Sequence, residues 1–262
     1  MNKLTNVVLA ALLLSSPAAA QNVMQGVDMT SAAMTEATMT RGEVEALLTK
    51  ARTEGRTADL TGARLNGLDL SGLDFSGATL RAARLNKTML VGAKLDGAIL
   101  DQAWMHSANL AGASLKGANL FQTQLIRADL SDTDFSGARA PANFTRANLT
   151  GAVFRNADLS ADMKNQSMGL MRGDLTKAIL TRADFEGANL ARVVFDFAVL
   201  EQSRLVKANL MGASLSGARF TQTDITGANF NEADVAGARF NSLLGEDSAN
   251  LSKAKNLDRA IR

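Results

Sequence analysis

From Leu60 onward a large apolar residue returns at every fifth position: Leu60, Leu65, Leu70, Phe75, Leu80 and on without a gap to Phe135. The series resumes as Phe144, Leu149, Phe154 and Leu159, and again from Leu170 to Phe240, giving 35 pentads counted as 16, 4 and 15. A small residue stands two places before most of them, as at Ala58, Ala63, Ala108, Ala188 and Ala228. An α-helix cannot use such a pattern, because five residues turn it through about 500° and successive leucines would walk around its axis. Glycines two places after the large residue, such as Gly62, Gly92 and Gly217, also oppose helix. A flat strand fails as well, since its side chains alternate with a period of two.

A short extended piece followed by a bend satisfies the period. Residues two apart in an extended chain face the same way, so the small and large members of each pentad point inward. The residue between them, such as Asp59, Arg64, Asn119 or Asp184, points to solvent, and the following pair turns the corner. Repeated bending closes a coil, and coils stacked about 4.7–4.9 Å apart pair their backbones while burying columns of Leu and Phe.

The units Ala58-Asp59-Leu60-Thr61-Gly62, Ala118-Asn119-Leu120, Ala128-Asp129-Leu130, Ala147-Asn148-Leu149-Thr150-Gly151 and Ala188-Asn189-Leu190 resemble the motif of the pentapeptide-repeat family. The resemblance covers roughly residues 56 to 240, about 70% of the chain. It implies an all-β fold, a right-handed quadrilateral parallel β-helix with four pentads per coil, about nine coils and a rod about 43 Å long. In that geometry Arg64, Arg84 and Trp104 share one outward column, Ile179 and Val199 another, and Asn189, Asn209 and Asn229 a third. The asparagine column is expected to satisfy neighbouring backbone.

Two slips interrupt the period within 136–169. Phe135 to Phe144 is one residue short of two pentads and Leu159 to Leu170 is one over, so the slips cancel. Pro141 lies in the first, and the polar stretch Ser160 to Gly169, with Met163, Lys164 and Met168, forms the second, read as a protruding loop. Open coil ends need covers. Thr40 with Glu43 forms a capping box opening a helix over 41–55, with Val44, Leu47, Leu48 and Ala51 on one face. Residues 241–262 form a C-terminal cap, with a second short helix expected in the tail from Asp247. Residues 21–40, with methionines at 24, 29, 34 and 39, read as a low-complexity linker.

Residues 1–20 read as a cleavable signal peptide: Lys3, an apolar stretch from Val7 to Leu14, and Ala18-Ala19-Ala20 after Pro17. The expected location is the periplasm or outside the cell. The apolar stretch is too short to span a membrane, which takes about 20 residues. With no cysteine, rigidity comes from pairing and packing alone.

Chemistry is sparse. His106 is the single histidine, read as an exposed corner residue without a metal or nucleophile partner, and Asp129, Asp132 and Asp134 fall in the ordinary rhythm of the pentads. The spaced methionines suit Cu(I), which takes soft sulfur donors, but no histidine lies near them in sequence. Catalytic, cofactor-binding and metal residues are therefore expected to be none, and the protein is not expected to be an enzyme. The expected function is an exported structural or protein-binding module, with Arg64, Arg84 and Trp104 as its interaction surface, since Arg and aromatic residues are enriched in interfaces. Its partner would be a protein, not nucleic acid, with self-association through an end cap as a further option. The family resemblance suggests one alternative, topoisomerase protection by DNA mimicry; a periplasmic metal-binding protein or an enzyme is the other. The charge opposes mimicry: residues 58–240 hold 19 basic and 18 acidic side chains, and the whole chain carries a formal net charge of +2.

Overall fold

The computed structural model of the protein describes residues 27–161 and 171–262. The expected signal peptide, Met24, and the loop residues Met163, Lys164, Met168 and Leu170 lie outside the described residues. Among the described residues no helix is long and apolar enough to cross a membrane.

The middle residue of each pentad pairs in parallel with the middle residue one coil away. Four columns result, opening with Asp59↔Thr79, Arg64↔Arg84, Asp69↔Met89 and Asp74↔Lys94, a register of four pentads. We number the four sides of the rod after these columns, first to fourth. The conformation of a pentad follows from where its N–H groups go. Leu60 N donates to Thr79 O one coil on (2.8 Å), Gly62 N to Arg81 O (2.7 Å), and Thr79 N back to Ala58 O (2.9 Å). Ala63 N closes the corner onto Leu60 O (3.0 Å), and Thr61 N is taken by the Asp59 carboxylate (2.9 Å). An Asp or Asn in the middle slot thus supplies the one acceptor that the coil-to-coil ladder lacks.

Inside, the large residues are sealed: Leu65, Leu110, Phe154 and Leu190 are fully buried. Phe135, Phe154 and Phe185 stack face to face with centroids 4.6 and 4.8 Å apart, which is the spacing of paired strands. Where a hydroxyl replaces the small alanine it is satisfied, as Thr88 Oγ1 donates to Leu65 O (2.8 Å) and Thr123 Oγ1 to Leu100 O (2.8 Å).

The two slips cancel in the five-residue phase, as expected, but not in the register of the coil. At the first, Ala140 occupies a large-residue slot, and the buried Pro141 alone turns the corner before Ala142, so Gln124 pairs with Asn143, one position short of four pentads. At the second, the described residues take up the ladder again at Leu175, as Asn143 pairs with Asp174, six pentads and one position on. The loop therefore inserts two pentads and one position. With the single position lost at Pro141 the net shift is two whole pentads, which moves every later residue two sides round the rod. The five-residue period is blind to such a shift, because it leaves the phase unchanged.

Both ends differ from the sequence expectation. The stretch read as a linker holds a helical turn, α1 (Ala32–Thr35), and an antiparallel bridge Ala37↔Leu65. The reason lies in the corner side chains: Asn66 Nδ2 donates to Ala33 O and Glu36 O, and Asn86 Nδ2 to Met34 O. Helix α2 (Arg41–Thr53) carries the predicted capping box and buries Val44, Leu48 and Ala51 over the first coil. The tail forms three 3-10 turns, Glu246–Ser248, Leu251–Lys253 and Leu257–Arg259, in place of the expected helix, because coil pairing persists there as Asp234↔Lys255 and Arg239↔Ile261. The longest strand pair, β1 (Arg219–Thr221) with β2 (Arg239–Asn241), lies just before it.

Leu190→Asp places a charge in the sealed column, and we expect a loss of about 4 kcal/mol or more, read as collapse of the thermal transition. A variant melting within a few degrees of the parent would contradict the inward assignment. Deleting 101–120 should be tolerated far better than deleting 101–110. Both keep the pentad phase, but only the longer deletion returns later residues to their own side. Thermal unfolding of the pair decides between them.

Candidate interaction surface

Nearly all corners turn on a residue in the left-handed region, where glycine is free and other residues are strained. On three of the four edges glycine, alanine and glutamine predominate at this position. The edge between the second and third sides is different. Between Gly67 and Gly217 its corner residues stack as Lys87, Ser107, Arg127, Arg146, Lys177 and Phe197. Lys87 N donates to His106 O, Ser107 N to Ile126 O, Arg127 N to Thr145 O, Arg146 N to Thr176 O and Lys177 N to Asp196 O, all at 2.9 or 3.0 Å. The six have φ between 55° and 60°. The other edges carry one cation each at this position: Arg182, Arg192 and Lys207.

Among the described residues Lys87, Arg127, Arg146 and Lys177 make no ion pair, although all four are exposed. Some basic residues elsewhere do find counter-ions, for example Arg155 and Arg204 on the buried Asp184 (2.7 and 3.0 Å), while the single corner cations Arg182, Arg192 and Lys207 likewise make no ion pair among the described residues. Arg127, Arg146 and Lys177 occupy successive coils, about 4.8 Å apart along the edge, so the backbone sets like charges side by side there. Lys177 Nζ sits 5.9 Å from the ring of the exposed Phe197, whose ring in turn covers Gly217. An open groove of about 420 Å³ runs along the edge past His106, Ile126, Arg127, Arg146 and Lys177.

The predicted column Arg64, Arg84 and Trp104 is brought together, paired side by side on the second side of the rod, which adjoins this edge. All three are half-buried rather than open. Thr38 N donates to Arg64 O (2.9 Å), so the N-terminal segment lies beside the start of the column, and Arg84 Nε is buried with no hydrogen-bond partner among the described residues. Ile179 and Val199 pair as expected. The asparagine column does more than satisfy backbone: Asn209 Nδ2 reaches Asn189 Oδ1 (3.2 Å), Asn229 Nδ2 reaches Asn209 Oδ1 (3.0 Å) and Asn250 Nδ2 reaches Asn229 Oδ1 (2.8 Å), an amide ladder running into the cap.

His106 departs from its expected exposure. It stands half-buried at the same edge, and burial, then the positive Arg127 and Lys87, hold its pKa below the ordinary histidine value. Among the described residues, no group of three or more His, Cys, Asp or Glu is placed to hold a metal ion. The cationic edge itself was not legible in the sequence, because Arg146 and Lys177 are six pentads and one position apart and meet only through the displaced register.

A family profile described as Pentapeptide repeats matches this chain in eight copies over 58–97, 103–139, 142–161, 172–205 and 203–241, more than half of its length. No curated protein matches it. Among solved structures it is similar to HetL, a pentapeptide repeat protein involved in heterocyst differentiation regulation from the cyanobacterium Nostoc sp. strain PCC 7120. The two are 29% identical, with 86% of this chain and 100% of that one covered, at a TM-score of 0.38. It is also similar to QnrB1, a plasmid-mediated fluoroquinolone resistance protein, at 21% identity over 73% of this chain and 90% of that one, with a TM-score of 0.50. The second likeness carries the fold.

Gly is the strain-free choice at these corners, so Arg127→Gly and Arg146→Gly should each leave the rod as stable as the parent or stabilise it by up to about 1 kcal/mol. Chemical denaturation checks this. A loss of stability in either variant would mean that the arginines are kept for folding rather than for contact.

Proposed function

The chain belongs to the pentapeptide-repeat family, and on that premise we propose that it is an exported, non-catalytic binding module, a right-handed β-helix that docks an acidic partner protein along its cationic edge. The observation that supports this reading is the stack of Lys87, Arg127, Arg146 and Lys177. Four cations held in a strained corner conformation, without counter-ions among the described residues, have a cost that an acidic partner relieves. The adjoining Arg64, Arg84 and Trp104 extend the surface with residue types enriched in interfaces. The rod is well suited to such a role because a ligand surface on backbone ladders holds its spacing without ordering on contact. Cleavage after Ala20 and residence in the periplasm or outside the cell belong to the same proposal.

DNA mimicry would need the opposite sign of charge, since the phosphate backbone dominates what a topoisomerase recognises. We therefore expect excess protein to leave purified topoisomerase unprotected in a supercoiling assay. Protection, together with cytoplasmic retention of a tagged precursor, would reverse the reading.

The direct test is capture of a partner from intact cells by cross-linking, with the parent and with a variant carrying Arg127→Gln, Arg146→Gln and Lys177→Gln. Capture should fall at least tenfold in the variant, and parent binding should weaken steeply as salt is raised through the physiological range, as exposed charge pairs do. Equal capture by both proteins, or tighter binding to a nucleic acid than to any acidic protein, would overturn the proposal. Self-association through the C-terminal end, where Leu244 and Ile261 are exposed, would appear as a concentration-dependent mass untouched by the edge substitutions.

A further inference from the structure

The N-terminal segment closes a cavity of about 220 Å³ against the cationic edge, lined by Met29, Met34, Thr35, Gly67, Asn86, Lys87 and His106. Two thioethers and the only imidazole of the chain therefore line one cavity, although the methionines lie far from His106 in sequence.

Named hydrogen bonds hold the arrangement. Asn86 accepts from His106 N at Oδ1 (3.0 Å) and donates to Met34 O from Nδ2 (3.1 Å), so one side chain fixes both the histidine and a methionine. Asn66 holds the flanking carbonyls of Ala33 and Glu36, and itself accepts from Asn86 N (3.0 Å). Met34 is buried, at 6% exposure, and the Nδ1 of His106 is buried with no hydrogen-bond partner among the described residues. A histidine with an orphaned ring nitrogen, lining a cavity with two methionines, is unusual, since buried polar atoms are nearly always paired.

We propose that this cavity binds a cuprous ion through the thioethers of Met29 and Met34 and the imidazole of His106. The donor set selects the metal. Thioether sulfur is a soft ligand that suits Cu(I), a neutral imidazole suits copper generally, and the lining offers no carboxylate or thiolate for a harder or divalent ion. Charge points the same way: Lys87 and Arg127 flank the histidine, and they oppose a divalent ion twice as strongly as a monovalent one. Asn86 is a positioning residue for the site, touching the metal nowhere and orienting two of its ligands. This site stands independently of the docking reading, because it needs no partner and no unpaired cation.

The test uses the purified protein with Ag(I), a redox-inert stand-in, and then Cu(I) in competition with a chromophoric chelator. One equivalent should bind. Because His106 is the only histidine, its imidazole nitrogen signals in a two-dimensional NMR spectrum report on the site without ambiguity, and one of them should shift together with the Met29 and Met34 methyl signals. Met34→Leu and His106→Gln should each weaken binding roughly 100-fold or more, and Asn86→Ala by about 10- to 100-fold, as supporting residues of metal sites do. Met39→Leu should leave it unchanged. Thermal unfolding of each variant separates loss of ligand from loss of fold. If no equivalent binds, if the histidine signals stay still while silver binds methionines elsewhere, or if Zn(II) binds more tightly than Cu(I), the proposal is overturned.

Discussion

The structure depends on one hydrogen bond repeated: the N–H of the large apolar residue to the carbonyl of the middle residue one coil away, 2.6–2.8 Å at most positions. It sets the distance between coils, and that distance is what lets Phe135, Phe154 and Phe185 stack with centroids 4.6 and 4.8 Å apart. Packing and backbone pairing therefore demand the same spacing, so neither has to yield. The same bond makes each coil a template for the next and leaves the two ends as the exposed places where a cover is needed.

Local strain follows from the same geometry. A coil of four short extended pieces needs four sharp corners, and nearly every corner takes a residue into the left-handed region. Along most of the rod glycine or an uncharged side chain accepts it. On the edge bearing Lys87, Arg127, Arg146 and Lys177 the chain keeps long cations in that conformation, in register and without counter-ions among the described residues. The proposed binding role rests on this stack. The asparagine ladder of Asn189, Asn209, Asn229 and Asn250 is the contrasting case, where repetition in the outward slot is fully explained by hydrogen bonds between coils.

The N-terminal segment shows how a repeat array acquires a cavity. A regular rod offers flat sides and shallow grooves, and a cavity needs a second piece of chain laid across it. Asn66 and Asn86 supply the holding points, and Met29 and Met34 arrive with the segment. His106 contributes from the next coil of the same corner column. Its half-buried state and depressed pKa come from that cover and from the cations around it.

The five-residue period determined the inward and outward slots, the four-pentad coil implied by the family resemblance added the stacking of Arg64, Arg84 and Trp104 and the pairing of Ile179 with Val199, and Thr40 and Glu43 announced the helix cap. These are local or strictly periodic facts, set by the two-residue alternation of extended chain and by capping chemistry that spans a single turn. Tertiary structure decided which residues share an edge beyond Pro141 and the loop. A net shift of two whole pentads preserves the phase yet moves the chain two sides round the rod, so no reading of the period could place Lys177 beside Arg146. It also decided that Met29 and Met34 line one cavity with His106, because that placement depends on side-chain amides at Asn66 and Asn86 capturing backbone carbonyls from a segment with no coil period of its own.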